Sequence, residues 1–131
     1  MSDTTIHLFF RAVDTRDWDT VAATLADQVT LDYTSLFGGE VETLTPDEIT
    51  GRWRGLLPGF DATMHMLGPL VDDGDTVRCN VRAYHHIDGR TWMVAGWYTL
   101  HIVQSATGAR IAGIRIESSY EEGGRDLVEL A

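Results

Sequence analysis

The amino-acid sequence predicts an α+β fold, with helices from the first half of the chain packed on one face of a curved, mainly antiparallel sheet from the second half. Three observations carry this expectation. Up to Gly55 most apolar residues recur at helical spacing, whereas from Phe60 to Tyr120 they alternate between short turn signals. Those signals, Asp72-Asp-Gly-Asp75, Asp88-Gly89 and Ser105-Ala-Thr-Gly108, are brief enough to join neighbouring strands directly. Gly68, Gly96 and Gly113 fall inside the strand-like stretches, where glycine invites bulges. The sheet is therefore expected to bend into a cone, closed by the N-terminal helices around an internal pocket.

In chain order, Asp3 to Arg16 set Ile6, Phe9, Phe10 and Val13 on one helical stripe, with Asp3 or Thr4 as N-cap. Asp14 borders that stripe, unlike Arg11, Arg16 and Asp17, which marks it as a candidate site residue. A second helix is expected from about Trp18 to Ala26 behind an Asp17 cap, burying Trp18, Val21, Ala22 and Leu25. Val29, Leu31 and Tyr33 then alternate inward against Thr30 and Asp32, so Tyr33 points where the core does. Ser35 to Leu44, containing Gly38 and Gly39, reads as a loop or irregular hairpin at the rim of the pocket. Thr45-Pro-Asp-Glu48 has every feature of a helix start: a threonine cap, proline in the first turn, early acids and a capping-box glutamate. That helix should run to about Gly55.

Four consecutive antiparallel strands are expected after Pro58-Gly59, and the most informative is Thr76 to Ile87. Alternation places Val77, Cys79, Val81, Ala83, His85 and Ile87 on one face. An imidazole that ends an apolar row must find a partner or face a cavity. Residues 121–131 are acidic and glycine-containing, expected to be mobile at first and then to dock Leu127, Val128 and Leu130. The size prior makes residues 1–131 one domain with one core.

Composition excludes several function classes. A formal charge of -10 opposes binding to nucleic acid or an anionic membrane surface. Ten arginines and no lysine exclude Schiff-base chemistry. Cys79 stands alone, so neither a disulfide within the chain nor a thiolate metal site is expected. No His-x-His or His-x-x-x-His pair gives metal-ligand spacing, and no Gly-x-Ser-x-Gly or phosphate-cradling glycine motif occurs. With no long apolar span and no signal-peptide pattern at Met1 to Phe10, a cytoplasmic location is the default expectation.

Three segments together, Ala12-Val-Asp-Thr-Arg-Asp-Trp-Asp19, Thr30-Leu-Asp-Tyr-Thr-Ser35 and Thr63-Met-His-Met-Leu-Gly68, followed by a late strand histidine, resemble the SnoaL-like, scytalone dehydratase-like branch of the nuclear-transport-factor-2-like superfamily. The resemblance implies a cone-shaped α+β barrel and a cofactor-independent lyase (dehydratase) or an isomerase or cyclase. It also implies that Asp14, Tyr33, His65 and His85 are the polar pocket residues, while Val13 stands where the family carries a second tyrosine. On this reading His65 and His85 form the acid–base pair, Asp14 orients one of them, and Tyr33 hydrogen-bonds a carbonyl or enolate oxygen. Phe37, Trp53, Met64, Met66 and Trp97 are expected to line an apolar pocket for a polyketide-like or steroid-like oxygenated molecule, with no cofactor and no metal. A homodimer or homotrimer is expected. The alternatives are a non-catalytic protein that binds a hydrophobic small molecule, or a homodimeric interaction module.

Overall fold

The computed structural model describes residues 2–131 and places the helices and strands in the anticipated order. Helix α1 (Ser2–Thr15) and helix α2 (Trp18–Thr24) lead into strand β1 (Leu25–Asp32), a short helix α3 (Thr34–Phe37) and strand β2 (Glu42–Leu44). Helix α4 (Pro46–Arg54) and a 3-10 turn (Leu57–Gly59) then give way to β3 (Ala62–Leu67), β4 (Val71–Asp73), β5 (Thr76–Ile87), β6 (Arg90–Ser105), β7 (Gly108–Glu122) and helix α5 (Leu127–Leu130). The α4 start is a capping box: the Glu48 amide donates to Thr45 Oγ1 at 3.2 Å, and the Thr45 amide to Glu48 Oε1 at 3.0 Å.

The sheet runs β2-β1-β7-β6-β5-β3, with β4 also paired to β5. Every pairing is antiparallel except β1 with β7, which is parallel. The sheet is strongly curved but keeps two edges, β2 and β3, and does not close on itself. Its curvature has a local cause in β7. Ala95 pairs with Tyr120 and Gly96 with Ser118, so Ser119 is an extra residue; His101 pairs with Gly113 and Ile102 with Ile111, so Ala112 is another. Each insertion bends the strand and increases its twist.

Helix α1 lays Ile6, Phe9, Phe10 and Val13 on the concave face, against the buried row Val77, Cys79, Val81 and Ala83 of β5 and Tyr98, Leu100 and Ile114 of the long strands. Arg78, Asn80 and Arg82 alternate outward. Burial pushes the Cys79 thiol up to about 11, which fits a core residue rather than a nucleophile.

Four features depart from the sequence expectation. Ser35 to Leu44 is not a plain loop, because α3 and β2 form within it. β1 starts at Leu25, directly after α2, rather than near Val29. The stretch from Phe60 to Val71 is two strands interrupted around Gly68 and Pro69. In the tail, Leu127 is fully buried and Val128 packs on the core, but Leu130 stays outside at 57 % exposure. Among the described residues, no helix is long and apolar enough to cross a membrane.

Candidate active site

The site begins where α1 stops. The helix closes with the paired hydrogen bonds of a Schellman motif, Asp17 N–H to Ala12 C=O at 2.8 Å and Arg16 N–H to Val13 C=O at 3.2 Å. Arg16 takes the left-handed position at φ 58°, where glycine is usual. Its guanidinium holds it there by donating to the carbonyls of Asp14, Leu57 and Phe60 at 3.0, 2.9 and 3.1 Å. The end of α1 is thereby pinned to the turn that leads into β3, which brings Asp14 against that strand.

Thr63 and His65 lie two apart on β3 and share its inward face. Asp14 Oδ1 accepts from Thr63 Oγ1 at 3.1 Å and lies 2.7 Å from His65 Nδ1, while Asp14 Oδ2 accepts the His65 backbone N–H at 2.7 Å. Burial alone would raise the Asp14 pKa, but the bonds and charge of His65, with Thr63 adding to them, together outweigh it and hold the carboxyl below its ordinary value. An ionised Asp14 only accepts, so His65 Nδ1 carries a proton and Nε2 is left as the free nitrogen. No buried side-chain nitrogen or oxygen lacks a partner among the described residues. The unpartnered Nε2 is therefore accessible.

It opens onto a cavity of about 110 Å³, whose wall also includes Tyr33, His85 and Tyr98 among largely apolar side chains. The His65 and His85 rings lie 6.3 Å apart between centroids. Burial, reinforced by the nearby His65 charge, lowers the His85 pKa to about 4 despite its bond to the Trp92 carbonyl. Tyr33 is pushed up to about 12 by burial, only partly offset by a hydrogen bond with Tyr98, and Tyr98 is raised further by the same burial. Both phenols stay protonated donors at neutral pH. Among the described residues, no carboxylate or guanidinium faces this space, since Asp14 stands behind His65, and no group of three or more His, Cys, Asp or Glu converges.

The structure brings together Asp14, His65, His85 and Tyr33, and Phe37 and Trp53 contribute to the cavity wall. Three expected wall residues are elsewhere. Met64, Met66 and Trp97 are 58 %, 51 % and 41 % exposed on the outer sheet face, where Met66 and Trp97 border a separate groove. The reason is alternation: Met64 and Met66 flank His65 on β3 and Trp97 precedes Tyr98 on β6, so none can share a face with those inward neighbours. Sequence reasoning missed Thr63 as a partner of Asp14, though its spacing of two from His65 was the available signal. The structure also sets the Tyr98 hydroxyl beside that of Tyr33. His86 and His101 lie outside, bonded to Thr91 and Asp75.

The His85 environment predicts a pH dependence of stability. A histidine whose folded pKa lies below its unfolded value binds a proton more readily when unfolded, so stability is complete above about 6.5 and declines as the pH falls toward 4. The expected loss across that window is on the order of a few kcal/mol. Urea melts at neutral pH and in mild acid should show it, and His85→Phe should flatten the slope between the two; an unchanged slope would refute the assignment.

A family model described as a SnoaL-like domain matches residues 4–115. No curated protein matches the sequence. Among solved structures, the Kfla4162 protein from Kribbella flavida superposes with a TM-score of 0.85 at 24 % identity, covering 98 % of this chain and 93 % of that one. A protein provisionally described as a scytalone dehydratase from Novosphingobium aromaticivorans gives 0.80 at 15 % identity, covering 94 % and 85 %. A type 2 hexachlorocyclohexane dehydrochlorinase, LinA, gives 0.74 at 15 % identity, covering 94 % and 88 %. At these identities the likeness to solved structures establishes the fold.

Proposed function

Because the chain belongs to the SnoaL-like domain family, within the nuclear-transport-factor-2-like fold, we propose that its cavity is the active site of a cofactor-independent lyase. The substrate is a compact, uncharged β-hydroxy carbonyl compound that loses water, or a related one that undergoes a proton shift. The observation that carries this reading is the Asp14–His65 pair, with Nδ1 held by the carboxylate and Nε2 open to the cavity. A carboxylate in that position fixes the tautomer and stabilises the imidazolium formed when Nε2 takes a proton.

In the forward reaction His65 Nε2 removes the proton next to the carbonyl, and the C–H electrons move into an enolate whose oxygen accepts from Tyr33. Collapse of the enolate forms the C=C bond as the β C–O bond breaks. The departing oxygen takes the proton back from His65 Nε2, and water leaves with the imidazole neutral again. One base thus serves both halves of the elimination. Stopping at the enolate and returning the proton to another carbon gives isomerisation with the same residues.

Cavity size narrows the substrate. About 110 Å³ is below the roughly 300–1,000 Å³ usual for drug-sized ligands, so a single ring or short chain fits better than a four-ring steroid. The scytalone dehydratase-like and dehydrochlorinase neighbours favour an elimination. A non-catalytic binder would suit the apolar walls equally well, yet binding does not require an oriented base. The test is a panel of small β-hydroxy ketones incubated in heavy water, with enone formation followed by absorbance and α-deuteration by mass spectrometry. Enone from the unmodified protein and none from His65→Ala is the expected result; deuteration and enone that persist in the variant would sink the proposal.

A further inference from the structure

The two cavity histidines are held in different ways, and the difference specifies what a ligand must offer. His85 Nδ1 lies 3.2 Å from the Trp92 backbone carbonyl, an acceptor only, so Nδ1 carries the ring proton. In a neutral ring Nε2 is then a bare lone pair. Two further contacts oppose rotation of the ring. Trp92, paired with His85 across β5 and β6, stacks its indole on the imidazole at 4.5 Å between centroids and 28° between planes. Phe60 lies 5.3 Å away on another side. The Trp92 indole is itself tethered, since Nε1 donates to Glu121 Oε1 at 2.8 Å, and Glu121 is paired with Arg125.

Among the described residues, no carboxylate is paired with His85 as Asp14 is with His65. The titratable groups sharing its cavity are His65, with Asp14 behind it, and the phenols Tyr33 and Tyr98. A proton added to His85 would lack a compensating charge, in agreement with the depressed pKa described above. The ring is therefore suited to accept rather than to protonate a leaving group.

We propose that His85 is a fixed hydrogen-bond acceptor that selects ligands bearing a hydroxyl, and that Glu121, acting through Trp92, is the positioning residue that keeps it so. This rests on the cavity being the site of hydroxy-carbonyl chemistry. A substrate hydroxyl donating to His85 Nε2 keeps its oxygen lone pairs free for the proton returning from His65. An ether at the same place leaves Nε2 unpaired against apolar walls, the kind of mismatch a polar site rejects strongly.

Nitrogen NMR of the histidine rings in the full chain decides the matter. His85 is expected with Nδ1 protonated and Nε2 bare, from neutral pH into mild acid. Glu121→Ala should introduce a second tautomer or exchange broadening, and Glu121→Gln, whose amide oxygen can still accept from the indole, should restore the single state. A four-carbon β-hydroxy ketone should move the His85 Nε2 resonance several-fold more than its O-methyl ether does. A protonated Nε2, titration near the ordinary histidine pKa, a Glu121→Ala spectrum identical to the unmodified one, or a resonance that the alcohol moves no more than the ether would each overturn the proposal. Failure of the underlying lyase reading would register separately, as persistence of enone formation in His65→Ala.

Discussion

Asp14→Asn should lower turnover by about a thousandfold while leaving the fold intact, within the range for removing a positioned acid–base group. The loss follows from the hydrogen bonds at the two carboxylate oxygens. The His65 backbone N–H donates to Asp14 Oδ2 and needs an oxygen there. An asparagine satisfies that donor with its carbonyl, which turns its NH₂ toward His65 Nδ1. The ring must then accept at Nδ1 and carry its proton at Nε2, the wrong tautomer for a base. Thr63 Oγ1, which now donates to Asp14 Oδ1, can rotate its hydrogen away and accept from the amide, so little stability should be lost. Two readings check this: steady-state kinetics on any substrate the panel identifies, and the His65 ring nitrogens, which should exchange protonated positions. Full activity with a swapped tautomer would show that His65 is not the base.

Gly96→Ala is expected to cost about 3 kcal/mol, near the upper end for overpacking and large enough to be diagnostic. A Cβ at Gly96 would sit 2.0 Å from the Glu117 carbonyl oxygen, a backbone atom of β7, just where Ser119 bulges out of the ladder. Backbone on that side cannot swing away as a long side chain could. The corresponding fall in melting temperature is about 10 °C by calorimetry. Gly51→Ala is the matched control. Gly51 lies in α4 with nothing within 4 Å of the added carbon, so alanine there should stabilise by about 0.5–1 kcal/mol. Equal effects at the two positions would show that the bulge is not the rigid element described here.

How much of this could be read from sequence depended on the range of the determining interaction. The Thr76–Ile87 strand was legible to the residue, because alternation and the flanking Asp-Gly turns are local. The α4 start was equally legible, because a capping box is written in four consecutive residues. Asp14 could be singled out from its place beside the α1 stripe. Its contact with Thr63 depends on the Arg16 clamp, and no local pattern reveals that clamp. Met64, Met66 and Trp97 were misplaced for a different reason: their chemistry suited an apolar wall, and alternation on β3 and β6, which would have sent them outward, was not applied. The parallel pairing of β1 with β7 joins opposite ends of the chain and leaves no mark in either segment alone. The docking of the tail through Leu127 and Val128 was legible from their apolar character, whereas the same character in Leu130 misled, since that residue stays outside.

That parallel pairing bears on how the molecule assembles. β7 is the last strand in sequence but sits in the middle of the sheet where, among the described residues, it alone joins the β1–β2 pair to the β6-β5-β3 block. Until β7 is in place, β1 has one edge unmatched and the two blocks share no ladder. Loop closure between such distant segments must precede the contacts that reward it, so folding should be slow for a chain of this length. The two sub-sheets would then be the last parts to join, and a partly folded form would present the open flank of β1 as its most adhesive surface.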